Sequence, residues 1–197
     1  MLPAIEELKE LISSLPGIGP KSALKLALFL IDLPLEEKQR LFENLEKAVG
    51  RVHRCSLCHA YAEKDPCTRC LTPYSEEGLL CVVETAAEIF ALEPHLPRGS
   101  RFHVLGGKLS PLNGISPRDL SLDLLMNRVN SEEGIREVLL AMGPDVEGEA
   151  TANYVQSLLK DSGRKISRMA FGVSVGSSLL SSDERSIQKS IAARISY

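Results

Sequence analysis

Four of the chain's five cysteines fall at residues 55–70, in CSLCHAYAEKDPCTRC, as two C-x-x-C pairs eight residues apart. No other stretch restricts the fold so strongly. Thiolates three residues apart on a tight turn grip one edge of a tetrahedron, and a second such turn completes a four-coordinate zinc site. Cys55 and Cys58 make one pair, Cys67 and Cys70 the other, with Asp65-Pro66 as turn chemistry before the second. With all four positions taken by sulfur, the expected zinc is single and structural, not catalytic. His53 and His59 are near enough to replace a thiol, but two complete pairs make that unnecessary. A redox dithiol and unliganded thiols are the alternatives. The N-terminus, MLPAIEELKE, is charged and lacks the apolar region and cleavage site of a secretory signal, and the chain has no run of eighteen apolar residues. A cytosolic protein without a membrane span is expected, and cytosolic thiols stay reduced. A loop this polar buries too little to hold itself, so metal binding and local folding are one event.

The hydrophobic period changes across this knuckle. Before it, three amphipathic segments are predicted as helices. Residues 3–15 carry Ile5, Leu8, Leu11, Ile12 and Leu15 on one face. KSALKLALFLIDL is apolar around much of its circumference, and residues 35–52 present Leu41, Phe42, Leu45, Ala48, Val49 and Val52 as a stripe expected to be buried. After the knuckle, LLCVVE (79–84) is a continuous apolar run typical of a strand buried on both faces, FHVLGG reads as a second strand, EVLLAM (137–142) as a third, buried one and ISRMAF (166–171) as a fourth. Cys81 lies within the first and is expected as a small buried hydrophobe. Helical stretches alternate with these runs: TAAEIFALE, SPRDLSLDLLMNRVN entered through Ser116, and EGEATANYVQSLLK. Alternation of this kind predicts a mostly parallel α/β sheet with right-handed crossovers. A Gly/Ser-rich loop and a last helix follow. The expected modules are a helical one over 1–53, the zinc knuckle over 54–72, an α/β domain over 78–172 and a C-terminal tail over 173–197.

Two of these modules carry candidate sites. In LPGIGPKSA, Gly17 and Gly19 let the backbone turn tightly and approach another surface, and Pro20 starts the next helix with its fixed φ. Free N–H groups, the positive dipole end, Lys21 and Lys25 together suit a phosphate. Such a device reads no base edge, so it binds nucleic acid without sequence preference. A plain αα-hairpin, or a subunit contact through the same apolar helices, is the competing reading. In the α/β module, Glu84 closes the first strand and Asp145 and Glu147 follow the third. Ligand sites in parallel sheets lie beyond the carboxyl ends of strands, and grouped carboxylates there suit Mg²⁺. Asp145, Glu147 and Glu149 also stand where a helix N-terminus welcomes negative charge. No Tyr, Ser or His is evident beside these acids as a nucleophile or base.

Charge is uneven. Lys and Arg number 10 against 10 Asp and Glu over residues 1–75, 7 against 13 over 76–160, and 6 against 3 over 161–197. Any nucleic-acid contact must therefore come from local patches, and the acidic middle suits a basic partner.

Taken in order, a helix-hairpin-helix at LPGIGPKSA, a four-cysteine knuckle, a Toprim-like unit with CVVE and EGEATA, the SPLNGISP loop and a short tail resemble the bacterial recombination mediator RecR family along the whole chain. The resemblance implies a non-enzymatic DNA-repair protein, cytoplasmic and associated with the nucleoid. It implies a ring-shaped tetramer that surrounds single- or double-stranded DNA and, with RecO and in places RecF, loads RecA onto strands covered by single-strand-binding protein. Carried onto this chain, Lys21 and Lys25 line the ring, and Glu84, Asp145 and Glu147 face a partner or a metal ion. A Mg²⁺-dependent nuclease or primase using the same acids is the rival reading. In the tail this chain departs from the family's G-x-P-x-G-G and following acid, with Ser174, Ser177 and Leu180 at those places. The Walker-B-like nucleotide role of that tail is not carried over.

Overall fold

The computed structural model describes residues 2–194, and the chain falls into two units that divide between Val52 and His53. The first unit is helical: α1 is Pro3–Ser13, α2 Pro20–Asp32 and α3 Leu35–Gly50. Prolines open α1 and α2, where a missing N–H costs nothing. Ile12 packs with Ala23 and Ala27, one turn apart on α2, and with Leu8, Ile18 and Leu30. The expected burial of the α3 stripe is corrected here. No α3 residue is buried, Phe42 is 52% exposed and Val49 73% exposed. The small core between α1 and α2 forms without that stripe, and among the described residues of this unit no layer covers it.

In the second unit, β1 (His53–Arg54) and β2 (Tyr61–Ala62) form an antiparallel ribbon, and α4 (Thr68–Leu71) follows. Then β3 (Leu79–Val83), α5 (Ala87–Leu92), β4 (Arg101–Val104), α6 (Leu122–Ser131), β5 (Glu137–Leu140), α7 (Val146–Leu159) and β6 (Lys165–Arg168) alternate, and α8 (Glu184–Ala192) is the last helix among the described residues. The four long-range strands make one parallel sheet in the order β4-β3-β5-β6. Side chains alternate across it as strand geometry requires. Leu80 and Val82 of β3 join Leu125, Val129, Val155 and Leu159 of α6 and α7 on one face. Cys81 and Val83 join Ile89 of α5, Phe102, Val104 and the four knuckle cysteines on the other. Thus the knuckle belongs to the second core of the α/β unit.

The helix expected to run on from Ser116 does not. Ser116 caps a single 3-10 turn, Pro117–Asp119, in a reciprocal capping box, and α6 starts only at Leu122. The break has a cause: Leu120 is buried in the core, and the Ser121 hydroxyl donates to the Val104 carbonyl at 2.5 Å.

Candidate functional site

The knuckle is built by short-range turns. Cys55 N–H donates to the Ala60 carbonyl (2.8 Å) and His59 N–H to the Cys55 carbonyl (2.9 Å), with His59 at a φ of 59°. Asp65 Oδ1 accepts from Ser56 N–H at 2.7 Å, tying the second turn to the first, and that bond holds its carboxyl below the usual range. Cys67 caps α4, which carries Cys70. All four cysteines are buried, and their sulfurs lie within 4.8 Å of one another. Cys58 Sγ and Cys67 Sγ are 3.6 Å apart. A zinc–sulfur bond of about 2.3 Å gives tetrahedral edges of about 3.8 Å, whereas a disulfide needs about 2.05 Å. The residues fit a tetrahedral thiolate-bound ion. Hydrogen bonding with Cys70 and then burial push the Cys58 thiol up, which makes a cation the natural partner of the deprotonated set. Among the described residues this is the only His, Cys, Asp and Glu group drawn together closely enough to hold a metal. The knuckle also covers the sheet edge. Val104 N–H of β4 donates to the Cys58 carbonyl (2.8 Å), His59 Nδ1 lies 3.3 Å from the Val104 carbonyl, and Arg69 forks onto Glu93 at 2.7 and 2.9 Å.

In the helical unit, Gly17 has a φ of 78°, a value that favours glycine. Gly19 is different. It is the N-cap of α2 at φ −81°, with no side-chain cap, and a Cβ built there would meet no atom within 4 Å. Neither backbone strain nor packing within the chain requires glycine at 19. Lys21 and Lys25 are both exposed along the first turns of α2.

The third site lies where the sheet changes direction. From β3 the chain moves to β4 on one side and then to β5 on the other, so the ends of β3 and β5 flank a topological switch point. Glu84 follows β3, and its Oε1 accepts from Gly143 N–H after β5, at 2.8 Å. Burial pushes the Glu84 carboxyl up. Asp145 is the N-cap of α7, its Oδ1 accepting from Gly148 N–H at 2.8 Å. The structure therefore brings Glu84 and Asp145 around Gly143 and adds Glu147 from the first turn of α7.

Four neighbours of these acids went unrecognised in the sequence. Lys108 Nζ is 2.7 Å from Asp145 Oδ2 and 3.8 Å from Glu147 Oε2. The Ser110 hydroxyl donates to Glu147 and accepts from Asn113 Nδ2, which corrects the reading that no serine stands beside the acids; at 1% exposure it is closed to substrate. Gly143 and Gly148 make room, because a Cβ on Gly148 would lie 2.4 Å from the Gly143 carbonyl oxygen. Two signals were available: GGKLS directly follows a strand, where parallel-sheet sites gather, and glycine in a helix's first turn marks close approach.

Comparison with known proteins covers the same regions. A family model described as RecR, helix-hairpin-helix, matches residues 5–49, and one described as Toprim domain matches residues 78–170. A curated relative, Recombination protein RecR of Carboxydothermus hydrogenoformans, is 42% identical over 190 residues, covering 96% of this chain and 95% of its own.

Proposed function

The chain belongs to the RecR family, and from that premise we propose that it is a recombination and repair mediator that grips DNA backbones through its helical hairpin and catalyses nothing itself. The observation that carries this reading is Gly19. A glycine that neither strain nor internal packing requires, at an uncapped helix start followed by two exposed lysines, leaves the backbone open to something outside the chain. Phosphate fits: it takes the amide donors, the dipole end and the Lys21 and Lys25 ammonium groups together. No base-reading group stands with them, so recognition is indifferent to sequence and applies to single and double strands.

The knuckle holds one zinc through Cys55, Cys58, Cys67 and Cys70, a closed site with no position for substrate. Its chemistry is to fix β4 and the sheet edge. The uncovered apolar residues Phe29, Phe42, Leu45 and Val49 favour self-association, in keeping with a dimer or ring-shaped tetramer around DNA. Glu84, Asp145 and Glu147 lie in the chain's acidic segment and face a basic partner. RecO, and RecF where present, fill that role on this reading, and the complex loads RecA onto strands coated by single-strand-binding protein.

The test is affinity for duplex and single-stranded DNA against salt, for wild type and Lys21→Ala/Lys25→Ala. Each lost phosphate contact lowers the slope of log K against log salt by about 0.9 on duplex and about 0.7 on single strands. Unchanged slope and affinity in a correctly assembled double variant would defeat the hairpin assignment. Mg²⁺-dependent cleavage of labelled DNA that disappears in Glu84→Gln would instead favour the nuclease reading.

A further inference from the structure

The crevice at the sheet switch point is where carboxylates of a parallel α/β domain would gather a divalent cation. Here each acid has one oxygen engaged. Glu84 Oε1 takes Gly143 N–H, Asp145 Oδ1 takes Gly148 N–H, and Glu147 Oε1 takes the Ser110 hydroxyl. Among the described residues these three carboxylates do not all lie within 4.8 Å of one another, as the knuckle sulfurs do. What stands between Asp145 and Glu147 is Lys108. Its backbone is pinned on both sides. Gly106 N–H donates to the Glu84 carbonyl (2.9 Å), extending β4 alongside the end of β3, and Leu109 N–H donates to Thr151 Oγ1 (2.9 Å), a fully buried side chain of α7. The segment between presents Lys108 to the crevice mouth, where its Nζ reaches Asp145. Asp145 is held below the ordinary carboxylate range first by Lys108, and the Lys108 ammonium is raised first by Asp145.

We propose that the Lys108 ammonium is the resident cation of this crevice, taking the place of a divalent ion, so that the wild-type chain loads no Mg²⁺ on Glu84, Asp145 and Glu147 and a chain without that ammonium does. The geometry does not fit an added metal. A divalent ion at Asp145 Oδ2 would have to share that oxygen with an ammonium already at 2.7 Å, and the repulsion between the two cations cancels much of the attraction the carboxylates offer. One unit of positive charge from the protein itself offsets half the charge of the pair without the open coordination positions that phosphoryl transfer requires. The inference stands whether or not the hairpin binds DNA.

The experiment uses the full-length, zinc-loaded protein and Mn²⁺ as probe. Bound ion is counted from loss of the free-ion electron paramagnetic resonance signal, for wild type, Asp145→Asn, Lys108→Met, Lys108→Gln and Lys108→Met/Asp145→Asn. Wild type and Asp145→Asn are expected to take up the same Mn²⁺. Lys108→Met and Lys108→Gln should each gain one ion bound at least about tenfold more tightly, lost again in the double variant. In these variants alone, Mg²⁺ should raise the melting temperature. Wild-type uptake that Asp145→Asn abolishes would overturn the proposal, whatever the fate of the lysine variants. So would folded Lys108 variants, verified by circular dichroism and zinc content, that bind no more Mn²⁺ than wild type.

Discussion

Gly148→Ala sets local propensity against tertiary packing, and the structure decides the sign. Gly148 lies in the first turn of α7, and in an exposed helix the exchange stabilises by about 1 kcal/mol. Its Cβ, however, would stand 2.4 Å from the Gly143 carbonyl oxygen and 3.0 Å from Glu84 Oε1. Neither neighbour yields easily: one is backbone, and the other is pinned by Gly143 N–H at 2.8 Å. Relief requires the first turn of α7 to lift from the β5 loop, loosening the Asp145 cap, and overpacking of this kind costs about 3 kcal/mol. The net is about 2 kcal/mol of destabilisation. For a chain of this size that lowers the melting temperature by about 4–8 °C. Urea unfolding followed by far-ultraviolet circular dichroism measures it. Gly50→Ala in α3 is the control: its Cβ would meet nothing within 4 Å, so the change should be neutral or stabilise by up to about 1 kcal/mol. A Gly148→Ala protein as stable as wild type would refute the account of why α7 begins where it does.

Two further outcomes are expected. Chelation, or Cys58→Ser, should remove about one zinc per chain by elemental analysis and lower the melting temperature, since the Cys58 carbonyl and the His59 ring both hold Val104 of the edge strand; a metal-free protein that melts unchanged would show the knuckle to be dispensable. Burial lowers the pKa of His103 to about 3 from an ordinary 6.5. Both states are neutral above pH 6.5, but below it the unfolded chain takes a proton that the folded chain refuses. Stability should therefore fall between pH 6.5 and about 3 by up to about 1.4 kcal/mol per pH unit. Urea unfolding of wild type and His103→Gln at several pH values isolates this part of the slope, and parallel curves would contradict it.

The parts of this protein that were legible in its residues rest on local chemistry. Two cysteine pairs at this spacing are a ready-made clasp for a tetrahedral ion, and the structure gathers all four sulfurs. Runs such as LLCVV are too short and too apolar for a surface helix, and they became β3 and its parallel neighbours. Periodicity marked the apolar face of α3 correctly but could not say what covers it, because a 3.6-residue repeat reports that a face is apolar and carries no identity of a partner. The Ser116 helix failed for a related reason: the pattern was helical, yet Leu120 was claimed by the core and the Ser121 hydroxyl by Val104.

Local order in the chain determined most of the helices and strands, the thiolate set and the glycine turn before α2, since each depends on residues a few positions apart. Only the folded sheet decided what Glu84, Asp145 and Glu147 do. Their surroundings come from segments far away in sequence: Gly143 reaches Glu84 across 59 positions and Lys108 reaches Asp145 across 37. Charge and hydrogen bonding act through space, and a lysine in a surface-like GGKLS becomes a counter-ion only when parallel pairing of β4, β3 and β5 sets their ends side by side.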